Sequence, residues 1–183
     1  TERYVWHPFH VERTGTVQEI DVSSVTMLIP GSRAGLLEIE FTNHGQEVRT
    51  IPVVIAVKGS LDNAGPADPL GRTGWSFATP ASRTATTRKV SDDALLLEQS
   101  DLAIVLRASH GVAWHDARLS GQATISVPPA SSVKQHIVFA IGKSEEAQAA
   151  CEKIAADPEQ ALKDAHAAYA RRLDDLFGKL PRL

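Results

Sequence analysis

Two short runs in this chain place imidazoles close enough in sequence to share a ligand. In His110-Gly111-Val112-Ala113-Trp114-His115-Asp116, two histidines and a carboxylate fall within seven residues. These are zinc-binding side chains, although a zinc site needs three or four of them converging. With Gly111 to make a turn, the run reads as a polar hairpin tip, and no distant Cys or Glu cluster offers to complete a site. The second run, His7-Pro8-Phe9-His10, has His-x-x-His spacing, but Pro8 keeps the two rings off a common helix face. It reads as an aromatic N-terminal arm laid on the rest of the fold. A third histidine, His166, falls on an apolar helical stripe, where packing is its ordinary role. Ser/His/Asp hydrolysis lacks the strand-borne Gly-x-Ser-x-Gly elbow. The residues thus lead us to expect no metal and no cofactor.

One segment offers different chemistry. Gly59 to Gly74, GSLDNAGPADPLGRTG, carries four Gly and two Pro without periodicity. Structureless connections beyond about 12–15 residues are uncommon, and are usually functional or disordered. Sugars are commonly held by an aromatic face under their C–H groups, with polar groups nearby for the hydroxyls. Trp75, Arg72 and Asp68 supply both, and are the candidate ligand-binding residues. The competing reading has Trp75 opening a strand and packing in the core.

These residues must be positioned mainly by strands. In Leu37-Glu38-Ile39-Glu40-Phe41-Thr42 apolar and polar side chains alternate, which assigns them to opposite faces of a sheet. Asn43-His44-Gly45 follows as a turn, and Ile51 to Lys58 alternates again, so the two runs are expected to pair as a hairpin. Pro52 lacks a donor and places its strand at an edge or bulge. Further strands are expected at Val25–Pro30, Trp75–Thr79, Thr86–Val90, Ala94–Glu98, Leu102–Arg107, Ala117–Ser126 and Val133–Gly142. Many short strands between turn signals predict a mainly β fold, an antiparallel two-sheet β-sandwich in preference to a single barrel.

Two C-terminal α-helices follow. Ser144 is placed to cap the first, with Glu145 and Glu146 at its positive end and Ala147, Ala150, Cys151 and Ile154 on one face. The second begins with Asp157 as N-cap, Pro158 at the first helical position and Gln160 at the third. Its stripe runs Leu162, His166, Tyr169, Leu173, Leu176, Leu180 before Pro181 stops it. Such a helix is about 30 Å long.

Composition narrows the partners. The chain has 183 residues, 19 basic against 22 acidic, and a net charge of −3. Interspersed charge of this balance gives no reason to expect nucleic acid or an anionic membrane surface. No apolar run approaches the ~20 residues a bilayer requires. The single cysteine, Cys151, excludes an intrachain disulfide framework. TERYVWHPFHVERTG has neither a signal-peptide layout nor an initiator Met, so the chain reads as a mature or excised segment.

The final third resembles a known family. A strand ending in VFAIGKS, a helix of EEAQAACEKIAADP type and a second helix closing in YARRLDDLFGKLPRL are similar to the linker region of six-hairpin glycosidases. In these glycoside hydrolases an N-terminal β-sandwich precedes an (α/α)6 barrel, as in glucoamylase-like, debranching-like and α-glucosidase-like enzymes and related phosphorylases. GLLEIEFTNHGQEVRTIPVVIAVKG also resembles a strand pair of that sandwich. The resemblance implies a β-sandwich domain at 1–143 and a helical linker at 144–183 leading to a catalytic barrel of the same polypeptide. It implies that catalysis belongs to paired carboxylates in the barrel, so this chain alone is expected to carry no catalytic residue and no enzyme activity. Its expected role is to pack on and stabilise the barrel, with the 59–74 loop leaning over the substrate site. The alternative is a free-standing carbohydrate-binding or adhesion module. Against that stands an aromatic content of 5%, with three scattered Trp.

Overall fold

The computed structural model describes residues 2–56, 86–91, 94–99, 102–109, 111–115 and 120–178. Along them run β1 (Arg3–Trp6), β2 (His10–Val17), β3 (Ile20–Leu28), β4 (Ala34–Asn43), β5 (Arg49–Ala56), β6 (Thr86–Ser91), β7 (Ala94–Gln99), β8 (Leu102–Ala108), β9 (Ala113–His115), β10 (Ser120–Val127) and β11 (Ser131–Gly142). The helices α1 (Ser144–Ala156) and α2 (Pro158–Phe177) close the chain. The strands form an eight-stranded sheet in the order β1-β2-β3-β4-β11-β8-β7-β6 and a three-stranded sheet in the order β5-β10-β9. Every pairing is antiparallel. The fold is therefore the expected mainly β sandwich with two C-terminal helices. The expected strand at Trp75–Thr79 lies outside the described residues.

The large sheet is covered on both faces, and alternation decides which residue goes where. Ile20, Phe41, Leu95, Ala108 and Ile137 turn towards the small sheet and pack with Ile51, Trp114, Ile125 and Val127. Their neighbours Met27, Leu36, Leu96, Val105, Val138 and Ala140 turn the other way and pack under Ala147, Cys151 and Ile154 of α1 and Leu162 and Ala165 of α2. Strand β11 is buried on both sides through Gln135–Val138. At the same level Gly35 lies opposite Phe139, and a Cβ there would stand 2.2 Å from the ring's Cζ. Glycine is what lets that ring lie flat over the neighbouring strand.

The expected hairpin of β4 with β5 does not form. β4 pairs with β3 and β11, whereas β5 crosses to the small sheet and pairs with β10. The reason is Asn43, whose side chain does more than tolerate a turn. It is 1% exposed, and its Nδ2 donates to the carbonyls of Glu47 (2.7 Å), Val127 (3.1 Å) and Pro128 (3.1 Å). Its Oδ1 accepts from the Gly45 amide at 2.9 Å. One side chain thus ties the end of β4, the crossing and the end of β10 together, and the chain changes sheet there. Pro52 falls on β5, an edge strand among the described residues, as its missing donor requires.

Two other expectations change. The aromatic arm at the N-terminus is a hairpin, β1 with β2, and β2 continues into β3 through Gln18 and Glu19, both with positive φ (50° and 66°). That is a two-residue turn of the mirror-image type, which matches the twist of the flanking strands. Ser144 does not cap α1: Lys143 holds the N-cap position without a side-chain bond, and Ser144 Oγ instead accepts from Gln148 Nε2 at 3.1 Å. The cap of α2 is as expected, with Asp157 accepting from the Gln160 amide at 3.0 Å and Pro158 following.

Asn43→Ala strips donors from three carbonyls, of Glu47, Val127 and Pro128, at a closed corner. It is expected to lower stability by about 1–3 kcal/mol, read as a fall in the urea midpoint with an unchanged slope. A midpoint equal to that of the parent chain would contradict the role given to the amide.

Candidate functional site

The three histidine motifs do not stay separate. Pro8 and Phe9 are the two-residue loop of the β1–β2 hairpin, because the register Trp6↔Val11 carries on to His7 and His10, whose backbones bond at 2.9 Å. Residues opposed across a hairpin project from one face, and the next residue but one along the strand returns to it. His7, His10 and Glu12 therefore share a face. The two imidazoles stack, with ring centres 4.1 Å apart and planes 12° from parallel. His10 Nε2 donates to Glu12 Oε1 at 2.9 Å, and His7 Nε2 lies 3.5 Å from the same oxygen. One ligand atom from each of the three lies within 4.8 Å of the others.

This face is the one that α2 covers. His10 and Glu12 oppose Met27 and Val25 of β3, which line the helix-side core. Across that core α2 delivers His166, edge-on to His10 (5.0 Å, 67°) and to Phe9 (5.7 Å, 87°). One turn later Tyr169 stacks on Phe9 at 5.1 Å. The result is a cluster of five rings and a carboxylate joining residues 7–12 to residues 166–169.

Its electrostatics follow from crowding. The hydrogen bond from His10 holds the Glu12 carboxyl below its ordinary range, against the opposing effect of burial. Burial lowers the pKa of His166, and the neighbouring His10 pushes the same way. His10 itself is buried, and among the described residues its Nδ1 has no hydrogen-bond partner. Sequence reasoning missed Glu12 and separated His166 from the His-x-x-His run. The usable signal was the pair of loop residues between His7 and His10, which makes them opposed, together with the His10-x-Glu12 alternation.

A second polar region lies on the same face of the sheet, beyond the end of α1. A cavity of about 540 Å³ is lined by Arg107, Ser109, His136, Glu152 and Pro158 among others. His136 Nε2 meets Glu38 Oε2 at 2.8 Å, Lys134 Nζ meets Glu38 Oε1 at 3.2 Å, and Arg107 faces Glu152 at 3.5 Å. Its opposite charges are already paired within the wall, so it offers an incoming ion little.

The other sequence candidates fare differently. Asp68, Arg72 and Trp75 lie outside the described residues, as do His110 and Asp116. Within the 110–116 run, Trp114 is buried in the sandwich core while His115 points outward from β9. The stripe of α2 is only half covered. Leu162 and Ala165 are buried, but Leu176 is 61% and Phe177 57% exposed. Among the described residues no helix is long and apolar enough to cross a membrane.

No family model matches the chain. No curated protein sequence matches it either. Among solved structures it is similar to the Slr1438 protein from Synechocystis sp. PCC 6803, with a TM-score of 0.47 and 10% identity over 78% of this chain and 66% of that one. It is also similar to a protein assigned as a kojibiose phosphorylase from the human microbiome, with a TM-score of 0.45 and 11% identity over 87% of this chain and 21% of that one. The chain thus spans less than two thirds of the length of either neighbour.

Cys151 is on the sheet-facing side of α1, its Sγ donating to the Val105 carbonyl at 3.4 Å. Desolvation pushes its pKa up to about 12, so on the order of one thiol in ten thousand is ionised at pH 8. Native protein is expected to resist a thiol reagent at that pH and to react fully once unfolded. Rapid labelling of the native chain would show that α1 does not seal this interface.

Proposed function

We propose that this chain is a non-catalytic β-sandwich domain of a larger glycoside-processing enzyme, packing through α2 on the catalytic helical barrel of the same polypeptide. The observation that carries the reading is the divided stripe of α2. Leu162 and Ala165 in its first half are buried on the sandwich, while Leu176 and Phe177 near its end are more than half exposed. Large apolar side chains left open at the end of a docked helix mark a contact surface. The sandwich with two trailing helices, and the resemblance of their sequences to six-hairpin glycosidase linkers, support the choice of partner.

On this reading, the reading frame continues past Leu183 into repeated helical hairpins with acidic loop residues; a stop codon directly after Leu183 overturns it. In the longer polypeptide, Leu176→Asp with Phe177→Asp is expected to cost roughly 2–4 kcal/mol of stability. In the isolated 183-residue chain the same change is expected to stay within about 0.5 kcal/mol. Unfolding curves of the two proteins separate the cases, and an equal effect in both counts against docking.

One observation favours a second reading, a free-standing carbohydrate-binding or adhesion module. Tyr4 and Trp6, two apart on strand β1, project from one face at 55% and 77% exposure, and the Arg13 guanidinium lies 5.8 Å from the Tyr4 ring centre. Spaced about 7 Å apart along the strand, two rings beside a cation offer stacking faces and donors for a sugar. Glycan-array binding by the isolated chain that disappears in Trp6→Ala would favour this module. Absence of glycan binding removes it.

A further inference from the structure

We propose that His7, His10 and Glu12 form a binding site for a divalent transition-metal ion, zinc in the first instance, which His166 closes from α2. The inference rests on the geometry of the hairpin face and stands apart from the docking role of the helix.

The donor set is the first argument. Two imidazoles and one carboxylate make a recurring zinc set, and nitrogen-rich sites prefer zinc, nickel and copper to magnesium or calcium. The second is placement. The two-residue loop fixes His7 opposite His10, and strand alternation fixes Glu12 beside them, so three ligand atoms lie within 4.8 Å before any ion arrives. Glu12 Oε1 already stands between the two Nε2 atoms, at 2.9 Å from His10 and 3.5 Å from His7. On binding, His10 gives up the Nε2 proton it donates to Glu12, and the stacked rings must splay so that both lone pairs point at one centre. His7 is exposed and has room to do this.

The third argument is His166, 5.0 Å from His10 by ring centres and carried by a different element. A turn of its side chain supplies a fourth nitrogen, and the ion then ties the N-terminal hairpin to the C-terminal helix.

The test is calorimetric titration of the tag-free 183-residue chain with zinc chloride, with magnesium chloride as a parallel arm. One zinc per chain is expected, with a rise in melting temperature and no binding of magnesium. His7→Ala and Glu12→Gln should each weaken zinc binding roughly tenfold or more. His115→Ala, which removes an exposed histidine elsewhere, should leave it unchanged. Because His7 and Glu12 are not core residues, native far-ultraviolet dichroism of the variants establishes that folding is intact. Absence of saturable zinc binding, equal binding of magnesium, or zinc binding indifferent to His7→Ala overturns the site. An unchanged affinity in His166→Ala overturns the part assigned to the helix.

Discussion

The side-chain amide of Asn43 sits where the chain leaves the large sheet for the small one, and much of the architecture follows from its being satisfied there. Its contacts with Glu47, Val127, Pro128 and Gly45 hold the end of β4, the crossing segment and the end of β10 at one point. Buried carbonyls need donors, and a tight turn in this place would have paired β4 with β5 and left no second sheet. With β5 sent across, β11 instead takes its place beside β4 over ten residue pairs, from Ser131↔Asn43 to Ala140↔Ala34. The strand that arrives last thus becomes a central one. This in turn delivers the chain to the outer face of the sheet, where α1 begins.

How much of this was legible depends on how local the determinant is. Alternation in Leu37–Thr42 and in the 133–142 run placed β4 and β11 correctly, because a half-buried strand writes its faces into neighbouring residues. Asp157, Pro158 and Gln160 gave the start of α2 for the same reason: the bond from the Gln160 amide to Asp157 spans three residues. Pairing partners were harder. Asn43-His44-Gly45 signals a reversal, but whether the next strand stays in the same sheet is decided by carbonyls 84 and 85 residues away. The histidine cluster failed on the same ground. His7 and His10 were visible as a spaced pair, whereas Pro8 suggested an arm, and nothing local says that residue 166 comes back to residue 10.

The helical layer shows how closely the helices and the sheet are fitted. Ala34, Ala103 and Ala140 of the sheet face Ala147, Cys151 and Ala165 of the helices in one cluster. Small side chains on both sides let helix and sheet approach closely, and a thiol serves there as a small apolar group with a weak donor for the Val105 and Val138 carbonyls. Past this apolar floor the same face turns polar, with His136 and Lys134 both bonded to Glu38. Burial works to lower the Lys134 pKa, yet the hydrogen bond and charge of Glu38, together with the charges of Glu159 and Glu40, raise it on balance. The footprint of the helices is therefore written in the sheet: apolar under them, ion-paired beside them.

That footprint ends at the ring cluster, and the position of everything beyond it depends on how firmly the cluster holds. From His166 to Phe177 the helix runs about 16 Å at 1.5 Å per residue, so a tilt of roughly 10° at the cluster would move its far end by about 3 Å. Displacements of that size spoil the complementarity of a packed interface. A surface carried on such a lever is useful to a partner only if the pivot is fixed. Here the pivot is a stack of Phe9 on Tyr169 with His166 edge-on to both Phe9 and His10, mounted on a two-residue hairpin loop with little freedom of its own. The ligand atoms of His7, His10 and Glu12 converge at the same point. A cation seated there would act where the lever is most sensitive, which gives the two ends of the chain a physical reason to meet.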